Sequence, residues 1–596
     1  MDAKTVRIGG ASGFWGDSSV GAPQLVRHGG IDYLVFDYLA ELTMSILAAA
    51  RLRKPELGYA TDFVTVTMKA LIGEIAARGI RVVSNAGGMN PHGCAQAIAA
   101  LAAEQGLTLR IAVVEGDDVM PLLPQLREAG VQDMQKGRPL PEKVVSANAY
   151  LGALPIKQAL DQGAQIVITG RCVDSAVTLG VLMHEFGWHA DDYDRLAQGS
   201  LAGHIIECGC QATGGLHTDW ESVPDWHDIG YPVVECRADG TFLVGKPPAT
   251  GGLVNTATVG EQVLYEIGDP GTYLLPDVTC DFTQVNLRQA APDLVEVSGA
   301  RGRAPGNAYK VCATYVDGFR CNAQLSIVGV DAVAKAERTA EAILARTRKL
   351  FDENGWGDYS RTRIEVLGAE SCFGPHAAVR HTREVVMRLA VMHPEKAALE
   401  LFAREISAAG TSWAPGTTGS TGGRSSPSPS IRQYAFLLDK TALTPAVVMD
   451  GVRTGVAVPS GGQPVPVAPV APALAEAPGT GPAEHDTVEV PLIRLAYGRS
   501  GDKGDTSNIG LIARRPAYLP VLRAQVTAAR VADWLGHLVA GPVTRYELPG
   551  FEAMNIVCEA ALDGGGMASL RNDPLGKGMA QILLAMPVRV PRKLLS

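Results

Sequence analysis

No apolar run in this sequence approaches the roughly 20 residues that a membrane helix needs, so the chain is not expected to span a bilayer. Positive charge is also scarce. Lysine and arginine total 53 against 62 acidic residues, a net charge of -9, and no basic block is interleaved with aromatics. Nucleic acid is therefore not an expected partner. Only 10 cysteines occur in 596 residues, and no apolar export segment precedes the strand-like residues 6–8. Reduced thiols and a cytoplasmic location are expected, not a disulfide framework. The first glycine-rich turn, 8–17, lacks both the G-x-G-x-x-G spacing of a dinucleotide site and the Lys-Ser/Thr of a P-loop. The cysteines lack paired zinc spacing. No NAD, flavin or metal is expected.

What is present is an ordinary globular composition, 46% apolar and 19% charged, which excludes wholesale disorder, collagen and coiled coil. A length of 596 residues exceeds what one core usually organises. The clearest boundary is a Pro/Ala-rich stretch at 459–486, read as an extended linker because proline fixes φ and removes a donor. It separates an α/β unit (1–458) from a small C-terminal unit (487–596). A second Gly/Ser/Thr-rich stretch, 415–430, reads as a flap or loop.

Strand-like segments at 6–8, 31–36, 80–84, 109–114 and 165–169 alternate with helix-like segments at 39–51, 94–105, 119–129, 149–162 and 175–186. That alternation predicts a parallel sheet. Residues 309–315 and 319–328 read as a hairpin around Val316-Asp317-Gly318, followed by a helix at 332–352 and a strand at 363–367, an α+β subdomain.

The carboxyl ends of parallel strands are where α/β proteins place ligands, and polar residues concentrate there. Asp37 and Glu41 put two acids at one strand end, either as a general acid and base or as a helix cap and a solvated side chain. In the turn 84–91, Asn90 fits an N-cap and Pro91 the first helical position, so the Gly87 and Gly88 amides, with Asn85, could receive an anion. Arg171 offers a fork for a carboxylate or phosphate, or else an ion pair with Asp174, which could also cap the next helix. His204, Glu207 and Cys208 would share a helix face, with Gln211 beyond them, as an active-site wall more than a metal half-site. Cys208 is either a nucleophile or packing. In the C-terminal unit, Asp502, Lys503 and Asp505 lie in a glycine-hinged loop after a strand at 488–496, either as anion ligands or as a local ion-pair cluster.

Residues 32–41, 83–93, 168–174 and 205–215, with the Gly-Asp-Lys-Gly-Asp loop at 501–505, resemble the AtuA family of acyclic terpene utilisation proteins over almost the whole chain. The resemblance implies an N-terminal AtuA domain and a C-terminal ferredoxin-fold domain. It implies a place in bacterial citronellol and geraniol breakdown, where intermediates are branched acyl-CoA thioesters. It transfers no catalytic residue. The expectation is a hydratase or lyase acting on an acyl-CoA or carboxylic acid, with coenzyme A only as part of the substrate. The rival expectation is a non-catalytic acyl-CoA-binding or partner-docking protein of the same pathway. A homo-oligomer is compatible with either.

Overall fold

A computed structural model of the chain describes residues 4–419, 423–461 and 486–595. Five parallel strands form the middle of the largest sheet. They are Thr5–Gly10, Tyr33–Phe36, Arg81–Ser84, Ile166–Thr169 and Ile111–Glu115, in that spatial order. Strand Tyr33–Phe36 is buried at every position, as a strand covered on both faces requires. Val233–Arg237 on one flank and Ala446–Met449 on the other add antiparallel strands. Because Ile166–Thr169 inserts between its two predecessors, the direction of winding changes at the carboxyl ends of Arg81–Ser84 and Ile166–Thr169. That is the point at which such sheets receive ligands.

The predicted strands of the parallel sheet and the strand at 363–367 occur, with ends displaced by a few residues, whereas the strand expected at 488–496 stops at Pro491 and a 3-10 turn, Leu492–Arg494, follows it. Other segments also differ from expectation. Residues 149–162 were expected to be one helix. Instead Ser146–Ala149 is a strand, and the helix Leu154–Asp161 starts with Pro155 in its first turn. The hairpin around Val316 is also absent, since Ala308–Val328 runs as one long strand. Asp317 and Gly318 form a bulge opposite strand Ser428–Asp439, where the register shifts between Val316 and Phe319. Gly318 takes φ +73° there, so the turn signal was real but bends the strand instead of reversing it. This strand pairs with Ser146–Ala149, Ser428–Asp439 and Glu384–His393. It thereby joins the α+β subdomain to the segment that precedes helix Leu154–Asp161. The expected flap at 415–430 contains strand only at Thr417–Gly419 and at the start of Ser428–Asp439; residues 420–422 lie outside the described residues, and its other residues are turns, bends or irregular. Most of the predicted linker lies outside the described residues.

The C-terminal unit is an antiparallel sheet in the order Ala496–Lys503, Thr506–Ala513, Ala553–Cys558, Val543–Leu548. A two-stranded ribbon, Thr487–Pro491 with Pro587–Pro591, accompanies it. Its core is Leu, Ile, Val and Met packed between sheet and helices. Its sheet packs on helix Thr256–Leu264 of the larger unit. Gly510 permits that contact, because a Cβ there would stand 2.4 Å from Cβ of Leu264. Buried amides pin the same contact. Asn508 accepts from the Glu266 amide (2.9 Å) and donates to the Leu264 carbonyl (2.7 Å), while Asn555 donates to the carbonyls of Ile267 (2.8 Å) and Gly268 (2.6 Å).

Candidate functional site

Asp37 follows strand Tyr33–Phe36 directly and is buried. The neighbouring strand ends at Ser84, which places Asn85 beside it, and the Asn85 amide donates to the Asp37 carboxyl. Asn85 in turn accepts from the Tyr38 amide at 2.7 Å, so the amide orientation is set. Asp37 does not cap the following helix, whose N-cap is Ala40. Burial raises the Asp37 pKa well above the usual carboxylate range, and Asp174 and Glu207 add to the effect, while Arg171 and the Asn85 hydrogen bond oppose it.

Arg171 enters from the end of strand Ile166–Thr169 and is 4% exposed. Its backbone amide donates to Asp117 (2.9 Å), which Asn148 also holds (2.8 Å). Its guanidinium donates to Asp174 and to the Cys172 carbonyl, both at 2.7 Å, and lies 4.1 Å over the Tyr150 ring. The two readings of Arg171 are therefore not exclusive. It pairs with Asp174, yet its Nε is buried without a hydrogen-bond partner among the described residues. Burial opposes the charge, but Asp174, Tyr150, Glu41 and Asp37 together raise its pKa. Asp174 faces Arg171 and does not cap the next helix, whose N-cap Ser175 has no side-chain cap bond.

Glu41 is not solvated as one reading had it. Tyr150 hydroxyl donates to it, and Lys310 lies 3.8 Å away. Against burial, Lys310 and Arg171 lower its pKa to about 2, so it stays ionised. Sequence reasoning missed Tyr150 and Lys310. Tyr150 was assigned to a helix, and Lys310 was one of many polar residues in a strand.

The helix Tyr193–Ile206 carries His204, and Glu207 follows as its C-cap. Their contact at 2.9 Å matches the expected shared face. Burial raises the Glu207 pKa, with His204 opposing and Asp174 adding. His204 Nε2, Gln211 Oε1 and Gln262 Oε1 are buried without hydrogen-bond partners among the described residues. Cys208 lies outside the helix, in the turn before the 3-10 segment Gly209–Thr213. Burial first, then Glu207 and Glu266, push its pKa well above the usual thiol range. That shift disfavours the thiolate that a nucleophile requires and favours the packing reading. Among the described residues no group of three or more His, Cys, Asp or Glu side chains is arranged to hold a metal.

The turn at 85–90 is packed, not open. The Gly88, Met89 and Asn90 amides donate to the carbonyls of Asn85, Gly58 and Gly87. A Cβ on Gly87 would meet the Thr169 carbonyl at 2.5 Å. The glycines therefore serve close backbone approach, and the Gly88 amide is committed to the Asn85 carbonyl within the turn. Asn90 does cap helix Pro91–Glu104, accepting from the Gly93 amide at 3.0 Å.

The C-terminal unit reaches the same place. The segment 501–505 is not a loop after a strand at 488–496. Lys503 ends strand Ala496–Lys503 and Asp505 precedes strand Thr506–Ala513, so these residues form a hairpin tip. Lys503 Nζ lies 2.9 Å from Glu266. Burial opposes its charge, while Glu266, Tyr273 and Asp174 raise its pKa well above the usual lysine range. Lys577 bridges Asp502 (2.9 Å) and Glu266 (3.2 Å) behind it and donates to the Tyr265 hydroxyl. Against burial, Lys503 and Lys577 lower the Glu266 pKa to about 2. Asp502 is thus an ion-pair partner. Asp505 accepts from the Gly564 amide (2.7 Å) and pairs with Lys136 (3.3 Å).

These features define a two-part α/β protein whose carboxylate and cation cluster lies at the carboxyl edge of its parallel sheet, with a second unit's hairpin against it. The family model described as acyclic terpene utilisation family protein AtuA matches residues 6–449, and that of the AtuA ferredoxin-like domain matches residues 490–589. The chain belongs to the AtuA family. No curated protein and no solved structure matches it. Among the described residues, no helix is long and apolar enough to cross a membrane.

Proposed function

We propose that the protein is an acid–base enzyme acting on branched acyl thioesters or related carboxylic acids, and that the reaction is hydration or its reverse. Asp37 carries the reading. It is a buried carboxyl at the sheet's carboxyl edge, with its proton affinity raised and its orientation set by Asn85. Such a group can take and return a proton near neutral pH. Glu207, also raised, supplies the second carboxyl. Arg171 and Lys503 supply fixed positive charge for an enolate oxygen. In hydration the oxygen of water bonds to the β-carbon and a proton adds to the α-carbon. Asp37 serves as the acid that protonates the α-carbon and Glu207 as the base that takes a proton from water, and dehydration reverses their roles. Glu41 stays ionised and holds Lys310 and Tyr150 in place.

The family description supports a place in acyclic terpene utilisation, whose carbon skeletons are branched. Coenzyme A enters as part of the substrate, and this chemistry calls for no redox cofactor. The division at 459–486 belongs to the same proposal, with the second domain contributing Lys503. The test is to incubate the full chain with branched enoyl thioesters and follow addition of water by mass spectrometry. Turnover lost in Asp37→Asn and reduced in Lys503→Met supports the reading. Binding without turnover across the panel favours a carrier role instead.

A further inference from the structure

The largest cavity described near the site, about 230 Å³, opens between the two units on the outer side of Glu41. Lys136, Arg138, Lys310, Arg432 and Lys503 line it, from four separate segments. Three acids, Glu41, Asp133 and Asp505, share the lining. They are engaged by Lys310 (3.8 Å), Arg138 (2.9 Å) and Lys136 (3.3 Å). The partners of Arg432 and Lys503, Asp317 and Glu266, do not line the cavity. The walls therefore carry an excess of positive charge in a chain whose net charge is -9. Glu41 and Cys312 also line a much smaller cavity of about 10 Å³, together with Tyr150 and Arg171. The cationic space thus adjoins the guanidinium beside Asp37.

We infer that this cavity binds the phosphate groups of a phosphorylated substrate handle, as a nucleotide-linked acyl thioester presents. The inference rests on the proposed acid–base reading and names the substrate class for it. A cleft with more cationic than anionic side chains on its walls attracts anions, and lysine and arginine are the side chains that recognise phosphate. A volume of about 230 Å³ falls below the roughly 300–1,000 Å³ of pockets for drug-sized ligands. It accommodates a diphosphate, and the rest of the handle extends beyond it.

The test is calorimetric titration of the full chain with inorganic pyrophosphate, then with coenzyme A in competition. Pyrophosphate should bind, more weakly as salt rises, and coenzyme A should displace it. The Arg432→Gln/Lys136→Gln double variant should bind at least about tenfold more weakly, as loss of charge-assisted hydrogen bonds predicts. Lys136→Gln alone, at a half-exposed position, should show a smaller loss and serves if the double variant does not fold. Asp37→Asn should bind pyrophosphate as the wild type does. A failed turnover assay with intact binding would refute the acid–base reading and leave this one standing. No pyrophosphate binding, binding unchanged in the folded variants, or failure of coenzyme A to compete would overturn the inference.

Discussion

Replacing Arg171 with methionine removes the guanidinium but keeps much of the side-chain volume, and the structure gives the size of the loss. The ion pair to Asp174 and the bond to the Cys172 carbonyl both stand at 2.7 Å, and the guanidinium is stacked 4.1 Å over Tyr150. Removing one member of a buried pair costs about 3–5 kcal/mol. The Asp174 side chain is 27% exposed and can rehydrate, so the lower end, about 3 kcal/mol, applies to the pair. The carbonyl bond and the ring contact add about 1 kcal/mol each, without strict additivity. The expected loss at pH 7.5 is therefore about 3–5 kcal/mol. Arg171 also opposes the upward shift of Asp37, so in the variant Asp37 should hold its proton more tightly. A carboxyl whose folded pKa is raised favours folding below its unfolded pKa, and that contribution is lost as pH rises through the folded pKa. The deficit should accordingly shrink at pH 5 and grow toward pH 8. Urea denaturation of both proteins at pH 5, 6.5, 7.5 and 8 reads both effects. A deficit below about 1 kcal/mol at pH 7.5, or one independent of pH, would refute the reasoning.

The same linkage applies to Asp37→Asn, which keeps the acceptor oxygen facing Asn85 and removes the buried charge. It should be more stable than the wild type at pH 8, with the advantage fading toward pH 5, as urea midpoints will show. Asn508→Ala strips partners from the Glu266 amide and the Leu264 carbonyl. At about 1–3 kcal/mol for each buried group left unmade, it should loosen the two units, seen as faster amide hydrogen exchange in residues 256–268. Cys208 should resist iodoacetamide at pH 7.5 in the native protein and react after unfolding, because its thiol is held protonated; alkylation mass spectrometry checks this.

The parallel strands and their order of appearance were legible because strands buried on both faces are short apolar runs bounded by turns. Asp37, Arg171 and Glu207 could be found for the same reason, since each follows the end of an apolar element. What stayed hidden depends on pairing across long sequence separations. Tyr150 meets Glu41 only because Ser146–Ala149 pairs with Ala308–Val328, whose length depends on a bulge at Gly318 in place of a turn. Glu266 gains its role from Lys503, 237 residues away. The glycines at 87 and 88 looked like an anion cradle, yet the space their missing side chains leave is filled by Thr169 and Leu47.

The central claim is that Asp37 moves a proton at carbon, and solvent hydrogen exchange tests it most directly. The full chain is incubated in deuterium oxide with a branched saturated acyl thioester, and deuterium at the α-carbon is followed by mass spectrometry. The account predicts incorporation by the wild type and its loss in folded Asp37→Asn. Exchange by the variant at the wild-type rate, or no exchange by the wild type with thioesters that it binds, would contradict it.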